Sequence, residues 1–254
     1  MVNNTVTVII QARCGATRLP GKILLNVLDK SILQHVIERV KRAKTVKEII
    51  VATTTMDEDK KIDAICKKME IKIFHGSVND VLERFYLAAK ENSAENIVRI
   101  TADCPFIDPE VIDKVVGVYL KTNADYCSNV IDPTYPDGED VEVFSFRLLE
   151  EAYKKTSLAS DREHVTPYMY KTSSVKKINV KNDIDLSSMR WTLDEEKDFR
   201  FIKTVLEKMY VVNPEFGMND VINLLKENPE LENINCGIMR NEGYAKSLRE
   251  DKDI

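Results

Sequence analysis

The sequence predicts an α/β protein: a mainly parallel, mixed sheet flanked by helices. Three observations carry that expectation. Short β-branched runs alternate with stretches of helical period through the first half of the chain. The alternation repeats four times, the pattern of a parallel sheet whose crossovers are helices. Residues suited to ligand chemistry fall just after the apolar runs, at 13–22, 53–55, 75–77 and 103, where a parallel sheet gathers its carboxyl ends.

The first strand is expected at 6–10, Val-Thr-Val-Ile-Ile. Beyond a loop, Ile32, Leu33, Val36, Ile37 and Val40 recur at helical spacing, and Ser31 stands where an N-cap belongs. The run 48–55 is the second strand, 57–70 the second helix and 71–76 the third strand. A helix follows from Asp80 to the Asn-Ser at 92–93, and the fourth strand leads to Asp103-Cys104-Pro105. The fourth helix opens on Pro109, whose missing N–H is no loss in a first turn. The second half is less regular. Strands are expected at 124–129 and 140–145 around the loop 130–139, then a helix at 147–156. A short helix at 160–170, closed by Pro167, precedes strands at 175–180 and 189–194. A strong amphipathic pattern covers 195–210, and the tail holds another at 218–228. The expected organisation is one domain over 1–212, with an inserted subregion at about 124–180 and a helical tail over 213–254.

Composition narrows the function classes. The 254 residues are 43% hydrophobic and 31% charged, as expected of a folded soluble protein. A formal net charge of -5 argues against a broad nucleic-acid-binding face, so any anion site is local. No apolar run has bilayer length, and no secretion signal is expected, which leaves no membrane partner and points to the cytoplasm. Cys14, Cys66, Cys104, Cys127 and Cys236 are scattered without a CxxC pair, so neither zinc nor a disulfide framework is expected.

The first loop, Gln-Ala-Arg-Cys-Gly-Ala-Thr-Arg-Leu-Pro-Gly-Lys, holds Arg13, Arg18 and Lys22 around Gly15 and Gly21. A strand, a glycine-containing loop and a helix present backbone N–H groups to phosphate. Three cations suit a polyphosphate better than a single carboxylate, because arginine offers a planar fork and lysine a mobile point charge. A solvated surface loop with a chance cluster is the other reading. The loop is neither a P-loop nor a dinucleotide fingerprint, since GxxxxGK[ST] and GxGxxG are both absent here. Asp103 suits Mg²⁺, a hard cation that takes oxygen ligands, but it also suits a turn before proline. Asp194, at the end of Arg-Trp-Thr-Leu-Asp, fits a helix N-cap. Arg84 has Asp80 four residues earlier as an ion-pair candidate. The Pro-Asp-Gly segment reads as a turn, and Trp191 as core.

The loop resembles the signature of the cytidylyltransferases that activate acidic sugars, the acylneuraminate and deoxy-octulosonate enzymes. The resemblance is nearest to a spore-coat polysaccharide cytidylyltransferase-like subgroup. It runs to about residue 210 through the ordered blocks GSVNDVLERFY, VRITADCPFIDPEVID, YPDGEDVEVFS, REHVTPY and RWTLDEEKDF. One departure is Ala16, where the family usually has serine. The resemblance implies a Rossmann-like nucleotidyltransferase fold and transfer of CMP from CTP to an acidic sugar with release of pyrophosphate. It implies that Arg13, Arg18 and Lys22 hold the outer phosphates, with Arg13, Lys22 and Asp103 catalytic and Asp103 and Asp194 on Mg²⁺. Ala12, Gly15, Thr53, Ser77, Arg84 and Thr101 complete the expected nucleotide site. Tyr135, Asp137, Asp140, Glu142, Arg162 and His164 are candidates for the acceptor side. A homodimer through the inserted subregion is also implied. Two other readings stand beside this one: a glycosyltransferase using a nucleotide sugar, and a non-catalytic nucleotide-binding module.

Overall fold

Val6–Gln11 forms β1, whose Val8, Ile9 and Ile10 are fully buried. A strand covered on both faces has no solvent side, which is why its centre, Val8 to Ile10, is a continuous apolar run. The computed structural model describes residues 5–238, 240 and 242–251; the extremities of the two expected units, 1–4 and 252–254, lie outside the described residues.

After the basic loop comes a two-stranded ribbon, β2 (Asn26–Val27) and β3 (Lys30–Ser31), with Leu28 and Asp29 at positive φ in its turn. Ser31 then caps α1 (Ile32–Lys41), accepting the Gln34 N–H at 3.3 Å in a capping box, as expected from the sequence. The chain continues through β4 (Val46–Thr54), α2 (Lys60–Met69), β5 (Lys72–Gly76), α3 (Val81–Glu91) and β6 (Asn96–Thr101). Asp108 caps α4 (Pro109–Thr122), with Pro109 in its first turn. β7 (Tyr126–Ser128), β8 (Glu142–Ser145), α5 (Phe146–Lys155), α6 (Ala159–His164), α7 (Pro167–Lys171) and β9 (Lys177–Asn179) follow. The long α8 (Glu196–Val212), α9 (Met218–Glu227) and α10 (Glu242–Arg249) end the described chain.

The seven-stranded sheet has the order β5-β4-β1-β6-β8-β7-β9. β5, β4, β1 and β6 are parallel, β8 is antiparallel to both β6 and β7, and β9 is parallel to β7. The chain runs outward from β1 to β5, then returns to β6 on the other side of β1. That reversal opens a crevice at the carboxyl ends of β1 and β6. The strands expected at 124–129 and 140–145 thus join the main sheet, with Cys127 opposite Val143.

Neighbouring side chains of β1 feed two cores. Val8 and Ile10 pack with α1, α4, α8 and α9, whereas Ile9 packs with Ile50, Phe85, Phe144 and Leu149 on the α3–α5 face. Each fully buried aliphatic side chain contributes roughly 1.5–3 kcal/mol. Among the described residues no helix is long and apolar enough to cross a membrane.

Two expectations need correction. Residues 160–170 form two helices, not one. Val165 at φ 69 breaks the chain after α6, and Pro167 opens α7 instead of closing its predecessor, because a proline lacks only an N–H that a first turn does not use. Residues 189–194 are extended but form no ladder strand. Their single bridge joins Asp137 to Arg190, and their other backbone bonds go to loops.

Candidate active site

The loop after β1 is pinned at its middle. The Cys14 carbonyl accepts the N–H groups of Ala16 (2.8 Å) and Gly21 (2.9 Å), while the Cys14 N–H donates to Asp59 at 2.6 Å. Asp59 also accepts the Thr54 hydroxyl and is almost wholly buried, so the end of β4 fixes the loop's curl. Gly21 lies at φ 69, where a side chain would be strained, and the turn it starts carries Lys22 inward.

Lys22 reaches the crevice. Its Nζ lies 2.6 Å from Asp103, 2.9 Å from Asp194 and 2.7 Å from the Leu193 carbonyl. Three parts of the chain separated by more than 80 residues each therefore meet at one ammonium group. Burial pushes the Lys22 pKa down, but Asp103 and Asp194 outweigh it and hold the group above its ordinary value, so it stays charged. Burial likewise pushes Asp194 up, yet Lys22, Arg18 and Arg190 together keep its carboxyl below the usual range. Asp194 is not the N-cap expected from the sequence, because α8 begins at Glu196 and Glu195 takes the cap position. The N–H groups of Asp194 and Glu195 donate to Asp198 of α8, at 2.9 and 3.0 Å. The Leu193 N–H donates to the Asp103 carbonyl at 2.9 Å, which ties the two carboxylate-bearing segments together. Arg18 pairs with Asp194 at 3.0 Å, Glu195 at 3.6 Å and Glu242 at 3.0 Å, and Arg13 lies 3.8 Å from Glu163.

On the β4–β5 side, Ala12 and Thr53 are buried, and the Thr53 hydroxyl has no hydrogen-bond partner among the described residues. Arg84 is wholly buried. Its Nη1 donates to the Ser77 carbonyl at 2.9 Å, while its Nε and Nη2 have no partner among the described residues. Burial, and then Arg13, lower its pKa to about 10, which leaves it protonated at neutral pH. The absence of a side chain at Gly76 admits Arg84, whose Cγ would be 3.0 Å from an added Cβ. The Asp80–Arg84 pair considered from the sequence is not among the hydrogen bonds, because Asp80 caps α3 and receives Arg162 instead. Ser77 accepts the Asp80 N–H, and Thr101 bonds with Cys104 at 3.1 Å. Gly15 is exposed on the loop, its missing Cβ 3.0 Å from Glu58.

The acceptor-side candidates divide. Tyr135 is buried and receives Lys114 on its hydroxyl. Asp137 pairs with Arg190 at 3.1 Å, and Asp140 with Arg240 at 2.5 Å. Glu142 accepts from Arg99, Tyr126 and Thr166 inside the protein. Arg162 uses its donors on Asp80 and the carbonyls of Tyr153 and Thr156. His164 faces α10, 3.2 Å from Ser247 and with its ring 4.8 Å from that of Tyr244. Trp191 is core, as expected.

Sequence reasoning passed over Asp59, Arg190 and Arg240. Arg190 lies within a quoted block, and its fork joins Asp198, Asp137 and Asp194 at 2.9–3.1 Å. A cation four residues before an aspartate was a usable signal. Asp59 and Arg240 had none, since their partners are distant in sequence.

A family model described as cytidylyltransferase matches residues 7–219. An uncharacterized protein of Methanocaldococcus jannaschii is 39% identical over 247 residues, 95% of this chain and 97% of its own length. The spore coat polysaccharide biosynthesis protein of Bacillus subtilis is 29% identical over 237 residues, 89% of this chain and 96% of its own. A solved cytidylyltransferase of Leptospira borgpetersenii superposes with a TM-score of 0.87 at 34% identity, over 93% of this chain and all of that one.

Proposed function

The chain belongs to the cytidylyltransferase family, a family of nucleotidyltransferases, and from that premise we propose that it transfers CMP from CTP to an acidic sugar for a surface polysaccharide or glycan. An oxygen of the sugar forms a bond to the α-phosphorus, the bond from that phosphorus to the bridging oxygen breaks, and pyrophosphate leaves with the electron pair. The observation that carries this reading is the Lys22 ammonium held between Asp103 and Asp194 at the sheet's crevice. Charge grows on the leaving pyrophosphate, so preorganised cations stabilise the transition state more than the ground state. Lys22, Arg18 and Arg13 are the groups for that work. The buried, unpartnered N–H groups of Arg84 and the Thr53 hydroxyl favour a polar ligand on the β4–β5 side, as a cytosine edge would be.

Mg²⁺ fits the donor set. Asp103 and Asp194 already converge on one cationic atom, and two carboxylates with substrate phosphates are what Mg²⁺ ordinarily takes. Among the described residues no group of three or more His, Cys, Asp or Glu is placed to hold a metal. Asp103 and Asp194 would hold it, and it would supply charge neutralisation at the phosphates.

Titration calorimetry with CTP, ATP, GTP and UTP in Mg²⁺ tests the nucleotide half: CTP should bind most tightly, and equal affinity for a purine triphosphate overturns the assignment. Pyrophosphate release with a panel of nonulosonic and octulosonic acids tests the acceptor half.

A further inference from the structure

The family match ends at residue 219, yet the chain beyond it lies against the site. Arg240 donates to Asp140 at 2.5 Å and to the Tyr135 carbonyl at 3.1 Å. Downstream, α10 meets both halves of the crevice. Glu242 accepts from Arg18 at 3.0 Å on the basic loop. Ser247 donates to Glu163 at 2.8 Å, and the Tyr244 ring lies against His164 of α6. Asp251 accepts the N–H and the hydroxyl of Ser160 at 3.0 and 2.7 Å. The segment is thus tied on the acceptor side and reaches across to the loop cations.

Arg18 holds three carboxylates, and they are not equivalent. Asp194 and Glu195 are fixed by backbone bonds to Asp198 at the start of α8. Glu242 belongs to a helix with no buried residue, fastened through exposed or half-exposed side chains. An anion that takes Arg18 therefore displaces Glu242 at the least cost. We propose that Glu242 competes with an incoming anion for Arg18 and that α10 is a strap which a nucleoside triphosphate displaces. The inference rests on reading the loop as a triphosphate site. Strap docking and nucleotide binding are then negatively coupled, and by linkage each weakens the other equally.

Two variants and one exchange measurement test this, with CTP and Mg²⁺ as the probe. Glu242→Gln removes the competing charge and should tighten CTP about two- to fivefold, the range of an exposed ion pair. Asp251→Asn loosens the strap far from the phosphates and should shift affinity in the same direction. In the parent, amide exchange over 242–249 should speed up when CTP is added. A helix that merely packs on the surface would show none of these changes. CTP binding by the parent, with both variants unchanged and exchange unaltered, overturns the strap and leaves the function standing. A parent that does not bind CTP overturns both.

Discussion

At the scale of single residues, the site depends on a few charges held where they are costly to hold. Lys22 is nearly buried, and its ammonium is neutralised by Asp103 and Asp194. Lys22→Ala should lower the turnover number by roughly a hundredfold at saturating CTP, comparable to removing one preorganised donor at a developing charge. Asp103→Asn keeps the shape but removes a charge from the metal position, so added Mg²⁺ should partly restore its rate and should not restore that of Lys22→Ala. Pyrophosphate release across a Mg²⁺ series separates the two, and near-normal turnover in both would overturn the assignment. His164 makes a pH prediction. Burial, and then Arg99, hold its pKa down to about 4, below its ordinary 6.5. The folded state thus favours the neutral ring. Its contribution is fully present above pH 6.5 and is lost as pH falls towards 4, where the loss reaches about 3 kcal/mol. His164→Gln cannot titrate, so the gap in Tm between parent and variant should narrow from pH 7 to pH 5. A constant gap would show that the ring is not held neutral.

At the scale of elements, the crevice owes its shape to loops that grip one another. The Pro-Asp-Gly turn is such a grip: the Asp137 N–H donates to the Met189 carbonyl at 2.9 Å, and the Trp191 N–H to the Asp137 carbonyl at 2.6 Å. Gly138 makes this possible. It lies at φ 115, and a Cβ there would come within 2.8 Å of the Trp191 backbone. Gly138→Ala should therefore cost about 1–3 kcal/mol, a fall in Tm of several degrees. It should also reduce activity, because the displaced segment carries Asp194. Calorimetry and steady-state rates measured together check both, and unchanged stability would mean that the turn can relax.

At the scale of the whole molecule, the sheet order puts the basic loop and Asp103 beside each other where the strand order reverses. We expect a homodimer through the region 124–180, where Ile131 and Leu158 are exposed large hydrophobic residues. β9, at one edge of the sheet within that region, leaves a row of backbone groups for a second chain to approach. Light scattering at micromolar concentration should give twice the 29.1 kDa chain mass, and a monomer mass would contradict it.

The sequence alone determined the alternating half of the fold, because hydrophobic period and cap residues are local properties. Ser31, Pro109 and the apolar centre of β1 behave as their neighbours dictate. The same locality marked Lys22 and Asp103 as chemistry-bearing residues after strands, whereas Asp194 was singled out through the family resemblance. What only the tertiary structure decided is who meets whom. Lys22 and Asp194 are 172 residues apart, Cys14 and Asp59 are 45 apart, and Arg18 and Glu242 are 224 apart. No local period encodes such pairs, since they depend on how loops close once the sheet has formed. Residues 189–194 show the same limit: β-branched and apolar character predicted a strand, but the available neighbours were the 103 and 137 loops, so the segment became a brace for the site.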